Sequence, residues 1–142
     1  MGKIVKNVDS RIIIDAENAV LGRLASYAVK QSLRGKTIII VNSEEAIITG
    51  SMENIKENYK KKMARRSNIQ RGPNFPSLAD RILKRTIRGM LPYKKQRGAD
   101  AFKRIKCYIG IPESLKNEKM IKSGKEKHGE YLSLKDVSRE IR

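Results

Sequence analysis

Two isoleucine runs in the first third of the sequence most constrain what this chain can fold into. They are residues 11–15 (RIIID) and residues 37–41 (TIIIV). Short continuous apolar runs are typical of strands buried in a sheet, and the first run is typical of a parallel strand. Between the runs, residues 19–33 repeat apolar side chains at helical spacing, and Gly35 follows as a stop signal. The sequence therefore predicts a strand, a helix and a second strand in succession.

The next segment predicts a third strand and two further helices. Residues 46–49 (AIIT) predict a short strand that ends before Gly50. Because the join between the second and third strands is too short for a helical crossover, spacing alone favours a hairpin. Ser51 is predicted to cap a second helix, and Ser77 with Asp80 resembles a capping box for a third helix over residues 78–88. The apolar stripes of these helices are expected to be Met52, Ile55, Tyr59 and Met63, and then Ile82, Leu83 and Ile87.

Residues 86–112 combine strong helix-stop signals with a dense cluster of cations. Gly89 is predicted to end the third helix with a positive φ, because Pro92 disfavours its continuation. A basic loop is then expected up to Gly98, followed by a short helical turn over residues 99–104. Residues 105–109 (IKCYI) predict a buried strand, with Cys107 as a core residue and not a reactive thiol. A rigidly held loop of cations suits anion binding better than catalysis.

The charge of the chain indicates a polyanionic partner. The sequence holds 32 Lys and Arg against 15 Asp and Glu, a net charge of +17. Residues 51–106 hold 17 of these cations and only four acids, so this middle segment is the expected nucleic-acid face. Helix capping and solvated charged faces are the alternative roles for its cations. We predict RNA contact for Lys60, Lys61, Arg65, Arg66, Arg71, Arg81, Arg85, Arg88, Lys94, Lys95, Arg97 and Arg104.

The loop over residues 67–76 has two interpretations. It contains glycine and proline at turn-forming positions, together with Arg71 and Phe75. These two side chains either stack on and bracket an RNA backbone, or Phe75 pins the loop to the core. The sequence leaves both alternatives open.

The sequence offers little for catalysis or metal binding. Residues 21–24 (LGRL) lie where a Rossmann glycine loop would lie, yet they contain one glycine and not GxGxxG. Asp15, Glu17 and Asn18 are expected to cap the first helix. Since the chain has one Cys and one His, no disulfide and no Cys- or His-rich zinc site can form within it. We therefore expect no enzyme activity, no cofactor, no metal and no small-molecule substrate.

Two other functions stay open at this point. One is an RNA-processing or nucleotide-dependent enzyme on a Rossmann-like core, which nucleotide or divalent-metal binding would reveal. The other is a general DNA-architectural protein, which competition between duplex DNA and structured RNA at equal salt would reveal. No apolar run approaches the length of a membrane span and no signal peptide is evident, so we expect a cytoplasmic protein that does not bind membranes.

The composition changes in the last quarter of the chain. Residues 113–130 are rich in Lys, Glu, Ser and Gly, which predicts an extended arm that becomes ordered mainly on binding. Ser133 and Asp136 have the spacing of a capping box for a last short helix. The expected organisation is an RNA-binding α/β core over residues 1–112 and a charged extension over residues 113–142, mobile in the free protein.

Three segments share a pattern with known proteins. Residues 87–110 contain IRGMLP, then Gly98, then I-x-C-Y-x-G. Residues 15–26 contain DA followed after four residues by LGRLAS, and residues 41–50 contain VN-x-E followed after four residues by TG. These segments resemble the thirteenth universal family of large-subunit ribosomal proteins and cover most of residues 15–112. The short length and the basic C-terminal extension resemble the archaeal and eukaryotic branch of that family.

This resemblance implies a fold and a function. The implied fold is a single three-layer α/β/α domain with a Rossmann-like sheet of about four mostly parallel strands, flanked by helices and basic loops. The implied function is a structural constituent of the large ribosomal subunit that binds and stabilises large-subunit ribosomal RNA and supports assembly. The implied partners are that RNA and neighbouring large-subunit ribosomal proteins, and the implied location is the cytoplasmic ribosome.

Overall fold

The computed structural model describes residues 11–64, 76–122, 124 and 129–141 of the 142-residue chain. Within these residues the strands are β1 (Arg11–Asp15), β2 (Thr37–Val41), β3 (Ile47–Thr49), β4 (Ile105–Cys107), β5 (Ile121–Lys122) and β6 (Tyr131–Ser133). The α-helices are α1 (Leu21–Leu33), α2 (Met52–Ala64), α3 (Ala79–Met90), α4 (Gln96–Lys103) and α5 (Leu134–Ile141). The helix and two strands predicted from the isoleucine runs are therefore present.

Four strands form one parallel sheet in the order β4-β2-β1-β5. β1 and β2 lie side by side, from Arg11 beside Thr37 to Asp15 beside Val41. β4 pairs with the outer edge of β2, and β5 pairs with the carboxyl end of β1. Because parallel neighbours need a crossover connection, α1 returns the chain from the end of β1 to the start of β2. The predicted sheet of about four mostly parallel strands is confirmed.

Alternate isoleucines of the two central strands face opposite sides of the sheet. Ile14, Ile38 and Ile40 are fully buried in the larger core, which the helices complete with side chains such as Leu24 and Leu83. On the other face, Ile13, Ile39 and Val41 pack with Leu115, which belongs to a 3₁₀ turn over Glu113–Leu115, and with Met120. The sheet is thus covered on both faces, as the predicted three-layer α/β/α domain requires.

The third strand leaves the main sheet, so the hairpin favoured by spacing is wrong. After β2, Asn42 takes a left-handed conformation with φ of 55°, and a 3₁₀ turn over Ser43–Glu45 directs the chain outward. β3 then pairs antiparallel with β6, from Ile47 beside Ser133 to Thr49 beside Tyr131. Its partner lies more than eighty residues away, and local spacing carries no information on such a pairing.

The ends of α3 differ from the sequence prediction. Gly89 lies inside the helix and not at a positive φ, and the helix ends one residue later at Met90. Leu91 takes an extended conformation because it precedes Pro92. At the other end, Leu78 is the N-cap residue and no side chain caps it, so the predicted Ser77 capping box is wrong.

The predictions for the apolar stripe of α2 and for the cap of the last helix have different outcomes. Met52 is 47% exposed and does not join the apolar stripe of α2, although Ile55 and Tyr59 are buried as predicted. The predicted cap of the last helix by Ser133 is confirmed, because its hydroxyl accepts the Asp136 backbone N–H at 3.3 Å and also donates to the Asp136 carboxylate at 2.9 Å. Beside it, α5 and β6 add a further group of core side chains, Leu132, Leu134, Val137 and Ile141.

Candidate nucleic-acid interface

The solvent side of α3 presents a stripe of cations. Ile82, Leu83 and Ile87 occupy the buried side of the helix, as predicted. The cations fall at the helical spacing of the opposite side and are Arg81, Lys84, Arg85 and Arg88. The Lys84 ammonium lies 4.9 Å from the centroid of the Phe102 ring, so packing on an aromatic face holds this side chain. The stripe is a fixed surface, because its helix is anchored through fully buried residues.

The cations continue past the end of α3 into a tight turn. The Tyr93 N–H donates to the Leu91 carbonyl at 2.8 Å, and the Lys95 N–H donates to the Pro92 carbonyl at 2.9 Å. α4 begins directly afterwards, with the Ala99 N–H donating to the Lys95 carbonyl at 3.0 Å. The basic loop predicted up to Gly98 is therefore a short turn followed by the first turn of a helix. Its backbone is held by hydrogen bonds at each step.

Gly98 allows the turn and the helix to touch. A Cβ atom at this position would lie 2.0 Å from the Pro92 carbonyl oxygen and 2.9 Å from the Tyr93 nitrogen. Both distances are well inside van der Waals contact, so only glycine fits this approach without a shift of the backbone. The first turn of α4 thus rests directly on the turn that precedes it.

This packing brings four cations to one place, which we call the basic corner: Arg88, Lys94, Lys95 and Arg97. The Arg88 guanidinium lies 5.3 Å from the centroid of the Tyr93 ring, and the other three side chains are exposed. Among the described residues, no acidic side chain forms an ion pair with those three. Within residues 81–106 there are ten Lys or Arg and one acid, Asp100, which accepts a hydrogen bond from Gln96 at 2.9 Å.

The start of α4 adds to the positive field of the basic corner. No side chain caps this helix, and its first turn contains no acidic residue. The first N–H groups of a helix have no partner within the helix and carry a partial positive charge. Backbone and side chains therefore favour an anion at the same place.

Arg104 has a structural role that the sequence did not suggest. Its side chain is half-buried and donates to the Ser32 carbonyl at 2.9 Å. Ser32 lies in the last turn of α1, and its carbonyl also accepts the Gly35 N–H at 3.0 Å. This guanidinium therefore ties the β4 side of the sheet to the end of α1.

The cations of α2 are partly paired with acids. Lys56 and Lys60 lie 3.5 Å from the two carboxylate oxygens of Glu140 in α5, and Lys61 lies 3.1 Å from Glu57. The two contacts with Glu140 join α2 to α5, and the pair with Glu57 lies within α2. Because exposed ion pairs are weak, they do not remove these cations from contact with RNA. Arg65, Arg66, Arg71 and Phe75, like His128, lie outside the described residues.

The carboxyl end of the parallel sheet, where Rossmann-like domains bind nucleotides, is acidic here. The Asp15 carboxylate accepts the Glu17 N–H and the Asn42 side-chain amide, each at 3.0 Å. A Cβ atom on Gly124 would lie 1.9 Å from the Glu17 carbonyl oxygen, so backbone from the β5 side closes directly onto this end. Carboxylates and a closed backbone are unsuited to a phosphate ligand.

The described part of the chain contains no metal-binding cluster and no membrane-spanning helix. Among residues 11–64, 76–122, 124 and 129–141, no cluster of His, Cys, Asp and Glu could hold a metal ion. In the same residues, no helix has the length and apolar character needed to cross a bilayer.

Sequence reasoning placed the cations of α3 correctly, but it did not anticipate the contact at Gly98 or the structural role of Arg104.

A family model and individual relatives of this chain agree on the family that its sequence resembles. The sequence model of the family described as Ribosomal protein L13 matches residues 9–114. The chain is 40% identical over 146 residues to the large ribosomal subunit protein uL13 of Archaeoglobus fulgidus, which covers 98% of this chain and 93% of that protein. It is 46% identical over 132 residues to the protein of the same name from Methanocaldococcus jannaschii, and this match covers 91% of this chain and 96% of that protein. It is also 51% identical over 110 residues to the protein of the same name from Methanosarcina barkeri, and this match covers 77% of this chain and 78% of that protein.

Proposed function

The chain belongs to the ribosomal protein L13 family, and from this membership we propose how it works. It is a structural constituent of the large ribosomal subunit and not an enzyme, and it acts in the cytoplasmic ribosome. It binds and stabilises large-subunit ribosomal RNA and supports assembly of the subunit. The observation that supports RNA binding best is the basic corner, where three exposed cations without acidic partners in the described part of the chain surround an uncapped helix start.

The stripe on α3 and the basic corner form the proposed RNA surface. From Arg81 to Arg88 the helix rises about 10 Å, which spans roughly two steps along an RNA backbone. Folded RNA presents its phosphates at fixed positions, and proteins recognise it largely through shape and phosphate contacts. A rigid array of cations can therefore select an RNA by the spacing of its phosphates, without contacts to base edges.

The mechanism we propose is electrostatic positioning. Each cation that neutralises a phosphate releases a condensed counterion, which makes binding favourable and sensitive to salt. The α/β core supplies the other half of the mechanism, because it holds the cations in place before binding and so lowers the entropy lost on binding. The cations assigned to RNA beyond the basic corner are those of the original prediction, Lys60, Lys61, Arg65, Arg66, Arg71, Arg81, Arg85 and Arg104.

A salt titration of a fourfold variant tests the proposal. Arg88, Lys94, Lys95 and Arg97 are replaced by Ala, and binding to a large-subunit ribosomal RNA transcript is measured from low to high salt. Each lost phosphate contact lowers the log–log slope by about 0.7 to 0.9, so the full change is about 3. Surface substitutions of this kind usually change stability by less than about 0.5 kcal/mol each, so the fold is expected to persist.

A matched control removes the same charge elsewhere. In this second variant the exposed cations Lys30, Arg34, Lys116 and Lys119 are replaced by Ala. We expect a smaller change of slope than in the fourfold variant, since the total charge is equal and only its position differs. Equal slopes for the two variants would contradict the basic corner as the RNA surface. Duplex DNA as competitor at equal salt separates this function from DNA architecture, because DNA of equal length is expected to compete poorly.

A further inference from the structure

The loop that follows β4 exposes a run of large apolar side chains. Tyr108, Ile109 and Ile111 are 36%, 52% and 36% exposed, although the sequence predicted a buried strand up to Ile109. β4 ends at Cys107, so the side chains beyond it no longer face the core. Contiguous apolar side chains on the surface of a soluble protein mark contact sites more often than scattered ones do.

The backbone of this loop is held firmly. The Tyr108 N–H donates to the Ile40 carbonyl at 2.8 Å, and the Ser43 and Asn42 N–H groups donate to the Tyr108 and Gly110 carbonyls at 3.1 and 3.0 Å. The Gly110 N–H donates to the Glu44 carboxylate at 3.0 Å. The apolar side chains therefore project from a backbone that is fixed to the end of β2, and binding them would order little additional chain.

One glutamate contacts the backbone of this loop, and a second glutamate follows it in the chain. Glu44 contacts the loop directly, and Glu45 is its exposed neighbour in the 3₁₀ turn. Partial burial, the largest cause, and the carboxylates of Glu17, Glu44 and Asp15 raise the pKa of Glu45 above its usual value, whereas the charge of Lys135 acts in the opposite direction. Negative charge is thus concentrated at this place on a chain whose net charge is +17.

We propose that this surface docks a Lys- and Arg-rich segment, with apolar side chains among its cations, from a neighbouring protein of the large subunit. We call it the acidic–apolar patch and define it as Glu44, Glu45, Tyr108, Ile109 and Ile111. The proposal rests on the proposed ribosomal function and adds the surface and the chemistry of the partner. Charge complementarity selects a cationic segment and disfavours RNA, because the carboxylates repel phosphates.

A photo-crosslinking amino acid at two positions tests this proposal. Two variants of the full-length chain carry p-benzoylphenylalanine, one in place of Ile109 and the other in place of Tyr93 beside the basic corner. Large subunits that contain either variant are purified and then irradiated. The Ile109 position is expected to crosslink to a Lys- and Arg-rich segment of another ribosomal protein. The Tyr93 position is expected to crosslink to ribosomal RNA, so it reports on the proposed function independently.

Charge variants then test the cause of the contact. Glu45→Lys is expected to lower the yield of the Ile109 adduct at least about fivefold, because it replaces an attraction by a repulsion. Glu45→Gln keeps the size of the side chain and is expected to give an intermediate loss. Glu57→Lys, which changes an exposed glutamate on α2, is the matched control and is expected to leave the yield unchanged.

The results that would overturn the inference are separate from those that would overturn RNA binding. An Ile109 adduct with RNA, with a second copy of this chain or with a segment poor in Lys and Arg contradicts it, as does the absence of any adduct. A protein adduct whose yield is the same with Glu45→Lys also contradicts it. If Tyr93 fails to crosslink to RNA while Ile109 behaves as expected, the basic corner is wrong and the acidic–apolar patch stands.

Discussion

Replacement of Gly98 by Ala is expected to disturb the basic corner from within. A Cβ atom would lie 2.0 Å from the Pro92 carbonyl oxygen, about 1.4 Å closer than ordinary contact allows. The clashing atoms belong to the backbone and not to a flexible side chain, so α4 and the turn must move apart. Such overpacking costs about 1 to 3 kcal/mol, against a gain of up to about 1 kcal/mol from the better helix propensity of Ala.

Gly89→Ala is the matched control for this change. Gly89 also lies within a helix, at the other side of the same turn, and a Cβ atom there would meet no heavy atom within 4 Å. This variant is expected to gain about 0.5 to 1 kcal/mol, because the exposed helix loses a glycine. The two variants should therefore differ by about 2 kcal/mol, or by about 7 °C in melting temperature for a chain of this length.

The assay is thermal unfolding of both variants followed by circular dichroism, together with RNA affinity at one salt concentration. Gly98→Ala should melt at lower temperature than Gly89→Ala and should also bind RNA more weakly, because the turn that carries Lys94 and Lys95 is displaced. Equal melting temperatures, or a more stable Gly98→Ala variant, would refute the close packing of α4 on the turn. Reduced stability with unchanged RNA affinity would show that the cations act independently of this packing.

Three further outcomes are expected. Ile105→Asp should prevent folding and so remove the cooperative unfolding transition, because Ile105 is fully buried and the new aspartate carboxylate would have no partner there. Lys106→Asp is the control, and it should fold because Lys106 lies on the exposed side of the same strand. Burial raises the pKa of the Cys107 thiol from 9.0 to about 12, so at pH 8 iodoacetamide should react roughly a thousandfold more slowly in the folded than in the urea-unfolded protein. A chain ending at residue 130 should not unfold cooperatively, since it lacks the core side chains of β6 and α5; a cooperative transition would instead support the predicted division into residues 1–112 and a mobile extension.

The central sheet could be predicted because its pattern is local. Three consecutive isoleucines in each of β1 and β2 leave both faces of a strand apolar, and only a sheet covered on both sides buries them. The same argument fails for β5, whose two residues are both exposed, and for β6, which has only three residues, of which Leu132 alone is buried. These short strands exist because the edges of β1 and β3 offer unpaired backbone groups, and that is a property of the fold and not of their own sequence.

Glycine positions show a second limit of local reasoning. Gly89 and Gly98 both follow a basic residue, and the sequence predicted that Gly89 ends a helix and that Gly98 ends the loop before the next helical turn. In the structure each lies inside a helix, and neither has a positive φ. Gly98 is required by the approach of Pro92, and nothing within 4 Å of a Cβ atom accounts for Gly89. Helix propensity disfavours glycine inside a helix at both positions, and it contains no information on which backbone will approach from another element.

Long-range partners likewise distinguish the predicted RNA-binding cations that also hold the fold together from those that have no such second role. Arg104 and Lys60 were predicted as RNA contacts from the density of charge around them, as were Lys94 and Lys95. In the fold, Arg104 donates to a carbonyl 72 residues away and Lys60 pairs with a carboxylate in the last helix. Lys94 and Lys95 have no acidic partner among the described residues, and they lie in a turn whose backbone groups bond to one another. Charge density in a sequence therefore indicates a polyanionic partner, whereas the assignment of each cation depends on long-range partners that only the fold reveals.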